Sequence, residues 1–537
     1  MKKILNFIYC LILLAIVAGL IYITDTEVIK KEDYTLVVNG DNILYKNEIL
    51  VKDNGVYIPY DTVKKVIDPN IFYDEVANKL IVTTYDKVIK FNENTSKKSV
   101  NLKYEDCKYP FIRENNIVYV PITELADVYE IDVNLNEKTK MLSIDSKYTA
   151  YQKVLNNNIN LYKKIDTKSD LLEKINKDDE IIVYGKEKLD HPRWYKVKTK
   201  SGNVGYIPKV DLKAEEKNVK PKEIKANKLD EKVVMFWQQG NSLEVLGGKN
   251  DAINVASPDW FDLSSTSGDF KDKVNENYLN KARENGYKLW PMFSTVNTPN
   301  AKSVTSELLN SETSRENAVK NILAIVDKYN LEGVNIDFEN MKDDEKHLFT
   351  QFIRELAPLL REKNVILSCD IYFVKYIERD RVAEACDYVI LMGYDQHWSG
   401  SSVSGSVSEI SWVEKNINYL LKDFKVKPEK LILGIPFYTK LWEEDGINKP
   451  VSKNMSMPAT EKYIQTYKLS KVWDEKAGQN YVEHKIGSKT YKLWVEDEAS
   501  IKQRVELVNK YSLAGVSAWQ KRFESDNAFS VIKQNLK

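Results

Sequence analysis

The stretch Gly333–Glu339, GVNIDFE, places polar side chains at every second position of an otherwise apolar run. Asn335, Asp337 and Glu339 therefore share one face of a predicted strand, with roughly 6.6 Å between successive members. Two carboxylates that are buried together raise the pKa of one of them, which can then act as a general acid. The structural alternative is a salt-bridged pair that closes a barrel, and the spacing alone does not decide between the two.

The strands and helices that must position these three polar residues are predicted from residue 232 onward. Apolar runs such as GVNIDFE, VILSCDI, YVILMGY and LILGIPFY alternate with amphipathic segments, one of which places Leu348, Phe352 and Leu356 on one helical face. This alternation predicts an α/β fold, a (β/α)8 TIM barrel over residues 232–537. The C-terminal ends of its strands would carry the chemistry, and residues 440–495 are predicted to be an insertion before the last strand.

The N-terminus reads as a membrane segment. Lys2 and Lys3 precede an apolar run from Ile4 to Ile23, which is long enough to span a bilayer as a helix. We expect an uncleaved transmembrane anchor within residues 1–25 and a single-pass membrane protein with its catalytic domain outside the cell. A cleaved signal is the alternative, and it would release the chain to the cell wall or spore.

Residues 38–147 contain an internal repeat with an offset of 62 residues, which relates Pro59 to Pro121 and Leu80 to Leu142. Each copy is predicted to form a strand, a short helix and a strand pair, so we expect an α+β domain. The pattern resembles the N-terminal domain of copper amine oxidases. That resemblance implies a spacer or wall-contacting role, and no cluster of His or Met here favours copper binding.

Residues 150–212 carry short alternating runs typical of a small all-β barrel. The segment WYKVKTKSGNVGYIP resembles a bacterial SH3-like domain, which implies that Trp194, Tyr195 and Tyr206 contact cell-wall peptides. The alternative is that these aromatic residues belong to the core. Residues 213–231 are highly charged, without apolar periodicity, and are predicted to be a linker.

Composition excludes several classes of function. Across 537 residues, 79 basic side chains balance 79 acidic ones, which argues against nucleic acid as the main partner. The cysteines at positions 10, 107, 369 and 386 do not form a disulfide framework, and we expect Cys369 and Cys386 to be separate buried thiols. The four histidines are scattered, so we predict no metal site and no cofactor.

Three motifs resemble glycoside hydrolase family 18, the chitinase-like family. Its fourth-strand pattern D-G-x-D-x-D-x-E appears here as Glu332–Glu339, its sixth-strand Met-x-Tyr-Asp as Met392–Asp395, and its eighth-strand tryptophan as Trp519. The resemblance covers residues 232–537, and the forms NIDFEN and SPDWFDL are most similar to spore and cell-wall N-acetylglucosaminidases of this family.

The resemblance implies a role for each matching residue. Glu339 would protonate the glycosidic oxygen and then activate water, while the 2-acetamido oxygen of the substrate attacks the anomeric carbon. Asp337 would hold the acetamido N–H and stabilise the oxazolinium ion, Tyr394 would bind the acetamido oxygen and Asp395 would support this site. Trp519 would stack on the sugar, and the anomeric configuration would be retained.

Four further residues are predicted to contact substrate or to tune the acids. Asn335 stands where the family has aspartate, and we expect it to hydrogen-bond Asp337 without taking its charge, which affects the pH profile. Met392 belongs to the sixth-strand motif, while Trp237 and Tyr438 end the first and seventh strands and are candidates for lining the sugar groove.

The sequence thus predicts a glycosidase that cleaves β-1,4 bonds after N-acetylglucosamine in peptidoglycan, including that of the spore cortex. Hydrolysis of chitin or chitooligosaccharides and release of glycans from glycoproteins are alternatives within enzymes. A wall-binding protein without catalysis is the alternative outside them, although the presence of both Asp337 and Glu339 argues against it. The expected partners are the polysaccharide, a cell-wall peptide at the SH3-like unit and the membrane.

Overall fold

The computed structural model of the protein describes residues 30–44, 49–185, 193–214 and 227–537, which form two compact units. Of the described residues, the first unit holds those up to 214 except 83–88, and the second holds 83–88 together with 227–537. The predicted membrane anchor and most of the predicted linker lie outside the described residues. Within the described ranges, no helix is long and apolar enough to cross a membrane.

Residues 227–537 confirm the predicted parallel barrel. Eight parallel strands close into a ring, because the first strand pairs with both the second and the eighth. In chain order the strands are Val233–Gln238, Val255–Leu263, Met292–Ser294, Gly333–Asp337, Ile366–Ile371, Tyr388–Met392, Leu431–Pro436 and Gly515–Trp519. Sheet closure brings the C-terminal ends of all of these strands to one mouth.

Helices cover the outside of the barrel. The helix Lys346–Glu362 buries its predicted apolar stripe, and Phe338, which points outward from strand four, stacks on Phe352 of this helix with ring centroids 5.5 Å apart. The other helices of this unit are Leu243–Leu246, Glu276–Glu284, Ala301–Asn310, Glu312–Tyr329, Arg379–Ala385, Ile410–Lys422, Glu498–Lys510 and Ala528–Asn535. Outward packing of Phe338 leaves the alternate side chains of its strand facing the barrel axis.

Aromatic residues fill the barrel below the polar row. The Trp290 indole stacks on Tyr388 with centroids 5.6 Å apart, and both are buried. A Cβ on Gly333 would lie 2.2 Å from Trp290, so strand four requires glycine at that position. The interior of the barrel is therefore closely packed at its base.

A separate antiparallel sheet lies between strands seven and eight, in the region predicted to be an insertion. Its strands are Tyr438–Glu444, Val451–Ser456, Val472–Asp474, Gln479–Ile486 and Lys489–Val495, with the helix Met457–Thr466 between them. Val482, Leu493, Val495 and Ile464 form its small core. The insertion therefore has its own small core, and it begins directly after the C-terminal end of strand seven.

The repeat of the first unit is visible as paired strands. Gly55–Pro59 and Ile117–Pro121, which are related by the offset of 62, pair antiparallel with Tyr57 opposite Pro121. The remaining strands of this part are Lys30–Glu32, Thr35–Val38, Asp41–Ile43, Ile49–Lys52, Phe72–Asp74, Lys79–Thr83, Val88–Asn92, Lys97–Val100, Lys103–Asp106, Ile112–Glu114, Ile131–Asn136 and Met141–Ser146.

The prediction of an α+β domain was wrong, because the described part of the repeat is almost entirely β. The first copy forms the short helix Tyr60–Val66, but the matching segment of the second copy forms turns. There Thr123 accepts a hydrogen bond from the backbone of Val56 at 2.9 Å, and Ala126 donates to the carbonyl of Thr123 three residues back. Bonds to the residue three back thus alternate with bonds to the residue four back, and no continuous α-helix forms.

Residues 152–185 and 193–214 form a small antiparallel β-sheet around a core that includes Leu161, Ile181 and Val197. Its strands are Gln152–Val154, Ile159–Tyr162, Leu171–Ile175, Glu180–Val183, Trp194–Thr199, Val204–Pro208 and Leu212–Ala214. The likeness to SH3-like domains stays a prediction.

Candidate active site

The two acids of the fourth strand lie at the barrel mouth. Asp337 is 5% exposed, and its Oδ2 accepts a hydrogen bond from the Ser294 hydroxyl at 3.2 Å. Glu339 follows the strand, and its backbone N–H donates to the Thr295 hydroxyl at 2.8 Å. Two residues from the end of strand three therefore fix the end of strand four.

Burial and neighbouring charges raise the pKa values of both acids. Desolvation and the charge of Glu339 hold the pKa of Asp337 well above its ordinary value. Desolvation and the charge of Asp395 raise the pKa of Glu339. Glu339 therefore keeps its proton closer to neutral pH than a free glutamic acid, as a general acid requires.

Residues that follow strands six and seven supply the aromatic and acidic side of the site. Tyr394 is buried and packs edge-on against both Trp237 and Tyr438. The Tyr438 hydroxyl donates to Asp395 at 2.6 Å, and the Lys440 ammonium lies 3.7 Å from the same carboxylate. Asp395 adopts a left-handed backbone conformation, φ 57°, which turns its side chain at the strand end.

Two adjoining cavities, of about 310 and 160 Å³, open at this mouth. The residues that line both are Asp337, Glu339, Asp370, Met392, Tyr394 and Asp395. Phe338, Tyr372, Tyr376, Ile377 and Trp398 belong to the larger cavity, whereas Trp237, Asp259, Ser294 and Trp519 belong to the smaller one. The acids thus stand between the two halves of one cleft, where a bound chain would pass them.

A protein-family model decides which family this cleft belongs to. The model described as "Glycosyl hydrolases family 18" matches residues 232–523, more than half of the chain. The chain belongs to glycosyl hydrolase family 18. It is a glycoside hydrolase. A second model, "Copper amine oxidase N-terminal domain", matches residues 32–144 and agrees with the resemblance seen in the repeat.

Curated proteins similar to this family 18 barrel have names that refer to glycosylases and to cortex-fragment lysis. "Uncharacterized glycosylase YvbX" of Bacillus subtilis is 22% identical over 304 residues, 53% of this chain and 85% of its own length. The "Cortical fragment-lytic enzyme" of Bacillus anthracis is 22% identical over 253 residues, 43% of this chain and 56% of its own. The chain thus spans only about half of the latter protein.

A solved structure supports the family 18 fold. The spore cortex-lytic enzyme SleL of Bacillus megaterium superimposes with a TM-score of 0.52 at 18% identity, covering 62% of this chain and 77% of that one. At this identity the likeness shows the fold alone.

The structure brings the predicted residues of the family 18 site to one place, with differing access. Met392 and Trp519 line the cleft, and Trp519 packs on Trp237 with centroids 6.0 Å apart. Trp237 is 1% exposed, so it supports Trp519 and Tyr394 and meets the cleft only as part of its inner wall. Tyr438 is not among the residues that line either cavity, and it acts through its hydrogen bond to Asp395.

The expected hydrogen bond between Asn335 and Asp337 was wrong. The Asn335 amide donates from Nδ2 to Asp370 at 2.7 Å, and its Oδ1 accepts from Ser368 at 2.8 Å. Strand five runs beside strand four, so its inward side chains face Asn335 across the strand pair, whereas Asp337 lies further along the same strand.

Sequence reasoning missed the acid of strand five and the polar residues of strands two and three. Asp370 ends the run VILSCDI, in which Ser368 and Asp370 alternate inward. Asp259 lies in SPDWFDL, where Lys273 pairs with both Asp259 and Asp262. The available signal was a carboxylate at the end of a buried strand, the same signal that drew attention to strand four.

Proposed function

We propose that the barrel cleaves β-1,4 bonds after N-acetylglucosamine in cell-wall glycan by a retaining, substrate-assisted mechanism. The observation that carries the proposal is the position of Glu339, whose pKa is raised, between the two halves of a cleft also lined by Asp337 and Tyr394. The names of the relatives from spore cortex support a peptidoglycan substrate.

In this mechanism Glu339 donates its proton to the glycosidic oxygen as the bond to the leaving sugar breaks. The acetamido oxygen of the substrate forms the new bond to the anomeric carbon, and attack within one molecule removes much of the entropic barrier. Asp337 accepts the acetamido N–H and stabilises the developing positive charge. Glu339 then takes a proton from water, which opens the oxazolinium ion with retention.

The cleft suggests where each sugar binds. The smaller cavity contains Trp519, on whose ring the apolar face of the reacting N-acetylglucosamine would stack. The larger cavity contains Tyr372, Tyr376 and Trp398, which suit the leaving part of the chain. Trp398 is exposed by 56%, as expected of a side chain that waits for a ligand.

The proposal extends to the other parts of the chain. The repeat would act as a spacer, and Trp194, Tyr195 and Tyr206 of the small β unit, all partly exposed, would contact cell-wall peptide. The apolar run at the N-terminus would tether the enzyme at the outer face of the cell membrane.

The test is a digest of peptidoglycan and, in parallel, of chitooligosaccharides, with products reduced and read by mass spectrometry. Glu339→Gln keeps the shape of the acid but removes its proton, so we expect turnover to fall by about 10²–10⁴-fold. Glu332→Gln is the matched control, because Glu332 accepts a backbone hydrogen bond from Leu289 at 3.0 Å and does not line the cleft.

New reducing N-acetylglucosamine ends from peptidoglycan, absent with Glu339→Gln and present with Glu332→Gln, would support the proposal. Products from chitooligosaccharides alone would assign the enzyme to chitin-like substrates. Initial products with inverted anomeric configuration, read by NMR of the digest before reduction, would contradict the mechanism.

A further inference from the structure

Asp370 is a buried acid that belongs to neither of the two acidic motifs. It is 5% exposed and lines both halves of the cleft. Strands four and five are in register, with Ile336 opposite Cys369, so the next inward pair is Asp337 and Asp370. Neighbouring strands lie about 4.8 Å apart, which makes these two carboxyl groups immediate neighbours.

A chain of hydrogen bonds fixes one oxygen of this acid. The Ser368 hydroxyl donates to Oδ1 of Asn335, which orients the amide so that its Nδ2 donates to Oδ2 of Asp370 at 2.7 Å. The other oxygen, Oδ1, makes no hydrogen bond of good geometry with the described residues. The indole N–H of Trp237 also faces this carboxyl and, like Asn335, opposes the rise of its pKa.

The pair carries no compensating cation. Among the described residues, no lysine or arginine forms an ion pair with Asp337 or Asp370, although Lys273 and Lys440 pair with other acids of the cleft. Two carboxylates side by side in a buried site do not both ionise near neutral pH, so one proton remains between them.

We infer that Asp370 is a positioning residue that holds a proton shared with Asp337, and that Asn335 orients it for this task. The inference rests on the proposed function for its kinetic consequence. As positive charge develops on the substrate, the shared proton moves fully onto Asp370 and the full negative charge appears on Asp337. The charge is therefore greatest in the transition state, where it accelerates the reaction.

Several other groups face the pair and set its titration. Desolvation and the charge of Asp337 raise the pKa of Asp370, while Asn335 opposes the rise. Among the described residues, the other titratable neighbours are Asp259 on strand two, Glu339 after strand four, Cys369, Tyr372 and Tyr376 on or after strand five, and Tyr394 and Asp395 after strand six. The acids among them favour the protonated state of the pair.

The decisive comparison exchanges the amide of Asn335 and the carboxyl of Asp370, which are joined by one hydrogen bond. Asp370→Asn keeps the size of the side chain but removes the proton site, whereas the double variant Asn335→Asp with Asp370→Asn returns a carboxyl to the same cluster. Asp387→Asn is the control, because Asp387 is also a buried acid but binds Arg361 at 3.0 Å and does not line the cleft.

Two readouts are made on the whole chain. Infrared difference spectra of carbon-13 aspartate-labelled protein report the C=O stretch of a protonated buried carboxyl near neutral pH. Steady-state kinetics on the substrate proposed above report kcat and KM separately. We expect Asp370→Asn to lose the infrared band and to lower kcat by roughly 100-fold without raising KM. The double variant should regain the band and most of kcat, and Asp387→Asn should keep both.

The outcomes separate this inference from the proposed function. Retention of the band in Asp370→Asn would overturn the inference even if the wild-type chain is active. A lost band together with unchanged kcat would overturn its kinetic part. Absence of turnover in the wild-type chain would overturn the proposed function, and the infrared band would still decide where the proton resides.

Discussion

At the scale of single residues, Asp395 influences the proton affinity of Glu339 although the two residues follow different strands. Its carboxylate accepts from Tyr438 at 2.6 Å, and its backbone carbonyl accepts from the Tyr372 hydroxyl at 3.2 Å. Its charge is the second cause, after burial, of the raised pKa of Glu339. Asp395, which lines both cavities, thus tunes the pKa of Glu339.

Removal of this charge should shift the pH profile of the enzyme. In Asp395→Asn the pKa of Glu339 falls, so the acid loses its proton at lower pH and the alkaline limb of kcat/KM moves downward. Tyr438→Phe is the control, because it removes the hydrogen bond but leaves the charge in place. An alkaline limb that stays unchanged in Asp395→Asn would show that another group controls it.

Burial of Asp370 also makes the stability of the folded chain depend on pH. The pKa of Asp370 is higher in the folded chain than in the unfolded chain, so the folded state binds more protons and stability falls as pH rises through this range. Asp370→Asn removes this cost. We therefore expect the Tm of Asp370→Asn at alkaline pH to equal or exceed that of the wild-type chain. At acid pH the two Tm values should converge. Calorimetry of both chains across pH measures these differences.

At the scale of elements, a buried ion pair joins the insertion to the barrel. Glu496, which follows the last strand of the insertion, accepts from Arg504 at 2.8 Å and from Gln479 at 2.8 Å. Arg504 lies on the helix Glu498–Lys510 and also donates to Ser408 at 3.1 Å. Burial raises the pKa of Glu496 to about 7 although Arg504 opposes this rise.

Loss of one partner of this pair should be costly. Glu496→Ala leaves the Arg504 guanidinium buried without its counter-charge, and we expect a loss of about 3–5 kcal/mol in the free energy of unfolding. The double variant Glu496→Leu with Arg504→Leu removes both charges and should lose much less. Urea denaturation measures both, and equal losses would contradict the argument.

At the scale of the whole molecule, the two units have separate hydrophobic cores. Within the first unit, however, a buried pair joins the repeat to the small β-sheet. Lys198 binds Asp145 at 2.7 Å with both side chains buried, and Tyr184 donates to the same carboxylate at 3.0 Å. The repeat and the sheet should therefore unfold together.

Calorimetry of the full chain should show two transitions. Lys198→Met leaves Asp145 buried without a cation, so we expect one transition to move to lower temperature by the equivalent of about 3–5 kcal/mol. The other transition, that of the barrel, should stay. A shift of both transitions, or a third transition in the wild-type chain, would contradict this division.

The sequence by itself determined much of this protein. The alternation of GVNIDFE put Asp337 and Glu339 on one face, and the apolar runs predicted the barrel, because side-chain direction and amphipathicity depend only on nearby residues. The offset of 62 predicted the two copies that pair through Gly55–Pro59 and Ile117–Pro121. The helix expected in the second copy of the repeat was wrong, because that segment forms turns with backbone bonds to residues both three and four back.

Only the tertiary structure decided which polar groups meet. Asn335 and Asp370 are 35 positions apart, and their hydrogen bond depends on the register between strands four and five, which no local pattern records. The same holds for Tyr438 and Asp395, joined across strands six and seven. The local pattern specified which side chains point inward, whereas the closure of the barrel specified their partners and thereby the proton affinities of the acids.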